Sequence, residues 1–224
     1  MQSTTVDELK EVLSARRLSG LALDIDETLA ATNVAWFERL VDLFGNPEGL
    51  TLSQLIAKYH LAQNNPHWQS AEARAWMHRQ RTAPEAQDGL PVIAGAVEGA
   101  HSLARTTGVV AYLTVRPTSV DAHTIAWLRA AGFPDRPVVA KPDRVPFEDG
   151  NRWKAEALCR LWPQVTGIVD DNPKVPAFAG RAYPGDVFLF GRDGVEPDHE
   201  WAIPCKTWAD VVEKVAAKRN RHAD

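Results

Sequence analysis

From about residue 90 onward, short apolar runs alternate with amphipathic stretches, and this alternation constrains the fold more than any other feature of the chain. The runs at 108–115, 165–170 and 187–190 have the length and β-branched or aromatic content of strands, and Val138-Val139 marks a shorter one. Residues 92–106, 118–131, 152–161 and 207–218 carry apolar side chains at helical spacing. A further helix is expected over 5–17, capped by Thr5 with Val6, Leu9, Val12 and Leu13 on one face, and a strand follows at 21–25. The pattern predicts the α/β class: an open, Rossmann-like parallel sheet with helices on both faces. Ligands bind such sheets outside the carboxyl ends of the strands, so polar residues just past several strands should meet in space.

One block breaks the alternation. From Asn33 to about Arg81 the pattern is helical only, with Trp36, Phe37, Leu40, Val41 and Phe44 in one stripe and Leu52, Leu55, Ile56 and Tyr59 in a second. A third helix, around 71–81, is rich in Arg and Ala, and Asn64-Asn65-Pro66 and Pro84 punctuate the block. The chain therefore divides into a core, residues 1–30 and 89–224, and a helical insert, 31–88, placed after the first strand.

Composition excludes several classes of function. A chain of 224 residues suits one medium domain or a core with a sizeable insert, and 45% hydrophobic with 24% charged content is ordinary for a globular protein. A net charge of −4 provides no global basic footprint, which argues against bulk nucleic-acid binding. No apolar stretch approaches the roughly 20 residues of a membrane span. Cys159 and Cys205 come without a secretory signal, so two reduced thiols and a cytoplasmic location are expected. The seven His and two Cys show no metal-binding spacing. The ending Lys218-Arg219-Asn220-Arg221-His222 reads as a frayed basic tail, and nothing in the sequence sets the oligomeric state.

The first strand ends in Asp24-Ile25-Asp26-Glu27-Thr28. In an extended chain residues two apart point to the same side, so Asp24 and Asp26 can face one pocket. Two adjacent carboxylates repel, and one takes up a proton unless a cation holds both. The other strand ends supply matching groups: Thr114 and Arg116 after the second, and Asp170-Asp171-Asn172-Pro173 after the fourth. Lys154 lies in the first turn of the helix that precedes the Asp170 strand.

With these residues in order, the chain resembles the haloacid dehalogenase-like hydrolase superfamily, whose signature is Asp-x-Asp-x-Thr, then Ser/Thr, then Lys, then an acidic pair. Asp24-Ile25-Asp26-Glu27-Thr28, Leu113-Thr114-Val115-Arg116-Pro117, Lys154 and Asp170-Asp171 match the four motifs. The resemblance implies that Asp24 attacks phosphorus and becomes an aspartyl-phosphate, while Asp26 protonates the leaving oxygen and then deprotonates the attacking water. The pKa of Asp26 is accordingly expected between its free value and neutrality. It further implies Mg²⁺ held by the Asp24 side chain, the Asp26 main-chain carbonyl and one acid of the last motif, with Asp171 favoured as direct ligand and Asp170 orienting the metal's waters. Thr114 would hydrogen-bond the phosphoryl oxygens, Arg116 would contact phosphate, and Lys154 would offset the charge built up as carboxylate meets phosphate.

The expected activity is a Mg²⁺-dependent phosphatase acting on a small phosphorylated metabolite, with a nucleoside monophosphate among the candidates. Asp26 favours phosphate esters, because haloacid dehalogenases proper lack an acid at that position. The alternatives are a phosphatase for protein or nucleic-acid phosphate ends, or a catalytically silent binding module. In the family an insert such as 31–88 is a cap that closes over the site and carries specificity. Trp36, Trp68 and Trp76 are then either cap core or pocket wall, with Arg74 and His78 as further pocket candidates. Lys141, in Ala140-Lys141-Pro142, also looks like a family lysine, although Lys154 is better placed relative to the fourth motif. Asp-Ile-Asp-Glu-Thr is similar to the class B and plant acid phosphatase branch, whereas Leu-Thr-x-Arg-Pro with the Asp pair is more similar to the deoxyribonucleotidase-like branch.

Overall fold

The structure is a computed structural model and describes residues 1–194 and 200–221. Helix α1 (Val6–Arg16) begins with a capping box: Thr5 Oγ1 accepts from the Glu8 amide at 3.2 Å, and the Glu8 carboxylate accepts from the Thr5 amide at 2.9 Å. Strand β1 (Gly20–Leu23) follows, then the insert helices α2 (Thr32–Phe44), α3 (Leu52–Tyr59) and α4 (Ala71–Thr82). The core resumes with α5 (Ala96–Thr106), β2 (Val109–Pro117), α6 (Asp121–Ala130), β3 (Val138–Lys141), α7 (Gly150–Leu161) and β4 (Val165–Asp170). It closes with α8 (Lys174–Ala179), β5 (Asp186–Phe190), β6 (Ile203–Cys205) and α9 (Trp208–Arg221).

The six strands form one parallel sheet in the order β3-β2-β1-β4-β5-β6. The chain builds outward from β1 through β2 to β3, then returns past β1 to lay down β4, β5 and β6. The reversal leaves a crevice at the carboxyl ends of the central strands, where such sheets bind ligands. Period-two alternation divides β1, β3 and β5 between two cores, and β2 and β4 also contribute to both. Leu21, Leu23, Tyr112, Phe188 and Phe190 pack with α5, α6 and α9 on one face, whereas Ala22, Leu113, Val187 and Leu189 pack with α1, α7 and α8 on the other.

Three differences from the sequence reading have local causes. Strand β1 stops at Leu23 rather than 25, because the Ile25 carbonyl turns away to accept the amides of Thr28, Leu29 and Ala30. Strand β6 and helix α8 are unexpected; each is short and contains a proline, Pro204 and Pro176, which lowers its strand or helix signal. Helix α9 runs to Arg221 instead of fraying from 218, with Lys218 Nζ held 3.0 Å from the Asp186 carboxylate; His222 lies outside the described residues. Cys159 and Cys205 are free thiols, and among the described residues no helix is long and apolar enough to cross a membrane.

The insert has its own apolar cluster of Phe37, Leu40, Leu55, Ala62, Trp68, Ala73 and Met77. It joins the core through the turn after β1, where Ala30 bridges Val92 and Ala31 donates to the Pro91 carbonyl at 2.8 Å. Trp208 supports that turn from below: its indole N–H donates to the Thr28 carbonyl at 2.9 Å. Gly99 on α5 makes room for the indole, since a Cβ there would lie 2.4 Å from Trp208 Cε3. Gly99→Ala is therefore expected to lower stability by about 1–3 kcal/mol through overpacking, measured by urea unfolding, with a larger loss for Gly99→Val.

Candidate active site

The loop after β1 sets the geometry. Glu27 takes a left-handed backbone (φ 55°), and the three amides that converge on the Ile25 carbonyl close the chain into a tight turn. The Asp24 amide still bonds the Val169 carbonyl at 2.9 Å, so Asp24 sits at the sheet's carboxyl edge, and Asp26 lies one step above it.

Lys154 enters from the second turn of α7 and is almost wholly buried. Its Nζ lies 2.7 Å from Asp24 Oδ1 and 2.8 Å from Asp170 Oδ2. Burial opposes the ammonium charge, but Asp170 and Asp24 outweigh it and hold the Lys154 pKa well above its ordinary value. Lys141 plays a different part. It donates to the Val145 carbonyl at 2.5 Å and the Pro142 carbonyl at 3.3 Å, tying down the loop after β3.

Asp26 is engaged on three sides. Thr32 Oγ1 donates to its Oδ1 at 2.6 Å, Arg116 Nη2 donates to Oδ1 at 2.8 Å, and Arg116 Nε donates to Oδ2 at 3.0 Å. Burial pushes the Asp26 carboxyl up, yet the guanidinium and these donors more than offset it, and the group titrates below its ordinary value. This corrects the expected shift toward neutrality, which took no account of Arg116. Arg116, expected on phosphate, is committed to Asp26 and, through Nη1 at 3.3 Å, to Thr124. Thr114 is fully buried in the second half of β2; its Oγ1 accepts from the Arg116 amide at 3.1 Å, leaving its own hydrogen for another acceptor.

The acidic pair after β4 divides. Both oxygens of Asp170 are taken, Oδ2 by Lys154 and Oδ1 by the Asn172 amide at 2.8 Å. Among the described residues the Asp171 carboxylate has no hydrogen-bond donor. Asp24, Asp170 and Asp171 each present an oxygen within 4.8 Å of the others. Burial, Asp170 and Asp24 together push the Asp171 pKa well up, and burial with Asp170 raises Asp24 to about 7 against the pull of Lys154. Asp24 Oδ1 is buried and, although close to Lys154, has no donor in hydrogen-bond alignment. Clustered hard oxygens with a net negative charge and an orphaned lone pair fit a divalent cation such as Mg²⁺.

Several neighbours escaped the sequence reading. Glu27 accepts from the Asn33 amide at 2.5 Å, and burial raises its carboxyl to about 7 although that amide opposes the shift. Thr32 and Thr124, partners of Asp26 and Arg116, carry no motif signal; only their positions in the fold expose them. Of the insert residues considered, Trp68 is fully buried and donates to the Gly45 carbonyl at 3.1 Å, so it is core. Trp36 and Trp76 are half-buried and meet edge-on at 5.9 Å, while Arg74 and His78 are exposed.

Removing Lys154 would leave Asp24 and Asp170 facing each other without a cation. Lys154→Met is expected to cost about 3–5 kcal/mol in urea unfolding with chelator present, and adding Asp170→Asn should restore part of that loss.

No family model and no curated protein matches the chain by sequence. Solved structures do. A HAD-superfamily hydrolase from Ehrlichia chaffeensis is 15% identical, with 89% of this chain and 98% of that one aligned at a TM-score of 0.55. A dehalogenase crystallised as an intermediate complex is 16% identical, covering 88% and 96% at a TM-score of 0.57. A HAD family hydrolase from Deinococcus radiodurans, with bound phosphate and sodium, is 16% identical, covering 89% and 96% at a TM-score of 0.52. At these identities the likeness concerns architecture alone. The chain has the fold of the HAD-superfamily hydrolases.

Proposed function

We propose that the protein is a Mg²⁺-dependent phosphatase that hydrolyses a small phosphorylated metabolite through an aspartyl-phosphate at Asp24. The observation that carries this reading is the pairing of Asp24 with Lys154 in a buried pocket that also holds Asp26, Asp170 and Asp171. Lys154 restrains the Asp24 carboxylate and offsets the charge that gathers as it meets phosphate. Thr114 offers its free hydroxyl hydrogen to a phosphoryl oxygen. Asp26, held as a carboxylate by Arg116 and Thr32, takes a proton from the water that cleaves the acyl phosphate and returns it to the leaving oxygen of the next substrate. Arg116 therefore acts on the substrate through Asp26.

The Asp24 side chain, the Asp26 main-chain carbonyl and Asp171 would hold the metal. Asp170, whose oxygens are already engaged, is better suited to orient the metal's waters. Bound Mg²⁺ would neutralise and orient the phosphoryl oxygens. The insert acts as a cap over the site, and its size favours small substrates over phosphate ends of macromolecules. A dehalogenase reading draws on the structural likeness to dehalogenases, but Asp26 two residues beyond Asp24 favours phosphate esters.

Phosphate release from an artificial aryl phosphate in the presence of Mg²⁺ tests the reading. Asp24→Asn is expected to lose at least about a thousandfold in kcat while its circular dichroism and unfolding transition persist. Turnover surviving in pure Asp24→Asn protein would sink the nucleophile assignment, and absence of Mg²⁺-dependent turnover across a broad panel of phosphorylated metabolites would favour a silent binding module. Millimolar Mg²⁺ should also raise the Tm of the wild-type chain by mass action, with the increment abolished in Asp171→Asn.

A further inference from the structure

Arg81 stands near the end of α4, half-buried between two aromatic rings. Its guanidinium carbon lies 4.1 Å from the centroid of Phe147 and 5.7 Å from that of Trp36. The rings belong to different parts of the molecule: Trp36 is on α2 of the insert, and Phe147 is in the core loop between β3 and α7. Among the described residues no carboxylate comes within ion-pair distance of Arg81, and its N–H groups have no acceptor. These N–H groups are not sealed from solvent, so they are open to a ligand. Burial lowers the Arg81 pKa, and only the more distant Glu148 opposes this.

Position connects this group to the active site. Thr32, whose hydroxyl holds Asp26, and Trp36 are four residues apart on α2, so they share one face of the helix. Helix α4 packs against β2, the strand that carries Thr114 and Arg116. Phe147 lies on the carboxyl side of the sheet, three residues before α7 begins and carries Lys154 back into the pocket. Arg81 thus occupies the rim of the crevice where insert and core face each other. Trp76 contacts Trp36 edge-on and steadies the wall.

We propose that Arg81 is a specificity-determining residue that grips a second oxyanion of the substrate, a carboxylate or a further phosphoryl group remote from the ester under attack. The aromatic rings flank the guanidinium, while its N–H fork remains unengaged by other side chains or carbonyls among the described residues. That fork matches a planar or tetrahedral oxyanion through two parallel hydrogen bonds, which a lysine cannot reproduce. The assignment rests on reading the Asp24 pocket as a phosphate site, which supplies the first anchor.

Calorimetric titration of the full-length, Mg²⁺-loaded protein tests this without turnover. The probes are ω-phosphonocarboxylates with one to four methylenes, matched against alkylphosphonates of equal length; a bisphosphonate series reports whether a phosphoryl group serves as well as a carboxylate. Wild-type protein should prefer the best-fitting phosphonocarboxylate or bisphosphonate over its alkyl counterpart by about tenfold or more, as expected for charge-assisted hydrogen bonds. In Arg81→Gln the two affinities should converge, and Arg81→Lys should recover only part of the preference. If Arg81 is merely a strut between insert and core, Arg81→Gln will weaken both series equally and leave the ratio intact, which overturns the proposal. Equal affinity for both series in the wild type overturns it too, while leaving the phosphate site standing. Binding of neither series overturns both.

Discussion

The contact on which the rest of the site depends is the buried ammonium of Lys154 between Asp24 and Asp170. Three secondary-structure elements meet there: the end of β1, the end of β4 and the second turn of α7. Burying a carboxylate costs several kcal/mol, and placing two or three together without a cation would protonate them or push the strands apart. Lys154 offsets that cost for two of the acids and fixes where their oxygens lie. Asp171 is left over. Among the described residues the same arrangement leaves one carboxylate without a donor and one oxygen of Asp24 without an aligned one, which is the unsatisfied valence a divalent ion would complete. Stability and chemistry here draw on the same charges.

A second constraint joins the turn after β1 to the insert. The turn spans only a few residues, yet Asp26 bonds Thr32 and Glu27 bonds the Asn33 amide, both at the start of α2. Neither acid reaches far to do so, because the left-handed backbone at Glu27 folds the chain back on itself. Any displacement of α2 must therefore act on the Asp26 carboxylate. Arg116 holds the same carboxylate from the core side, through β2. Asp26 is thus clamped between the two parts of the molecule. The insert is thereby tied to the strand ends, because its first helix supplies part of the hydrogen-bond shell of Asp26 and Glu27.

How much of this was legible in the sequence follows from the physics of each feature. Strands with period-two alternation facing two helical layers leave a strong pattern, so the sheet, its parallel sense and most helices could be read directly. Strand β6 and helix α8 could not, since a few residues with a proline carry little periodic signal. The acidic and basic residues at the strand ends were visible because parallel topology gathers strand ends, and Lys154, Asp24 and Asp170 accordingly meet. Arg116 shows where such reasoning ends. Sequence places a guanidinium at the site but cannot say which anion it will choose, and the 2.8 Å contact with Asp26 reverses the pKa shift expected for that acid. Lys141 and Lys154 presented the same ambiguity; in the fold Lys154 pairs with Asp24 and Asp170, while Lys141 donates to loop carbonyls.

The insert illustrates a deeper limit. Its apolar stripes announce helices and a local core, and Trp68 obeys that reading by burying completely. Trp36 obeys it only in part. It packs against the insert cluster with Phe37 and Leu40 and meets Trp76 edge-on, yet it stays half-buried and also lies beside Arg81. Arg81 has no sequence signature at all within a run of Arg and Ala; it differs from Arg74, which stays exposed, solely in the aromatic rings that fall on either side of it. Chemistry is legible when it depends on residue types brought together by a repeating topology. The junction of insert and core depends on which side chains the two parts present to each other, and that juxtaposition is encoded in packing rather than in any local pattern.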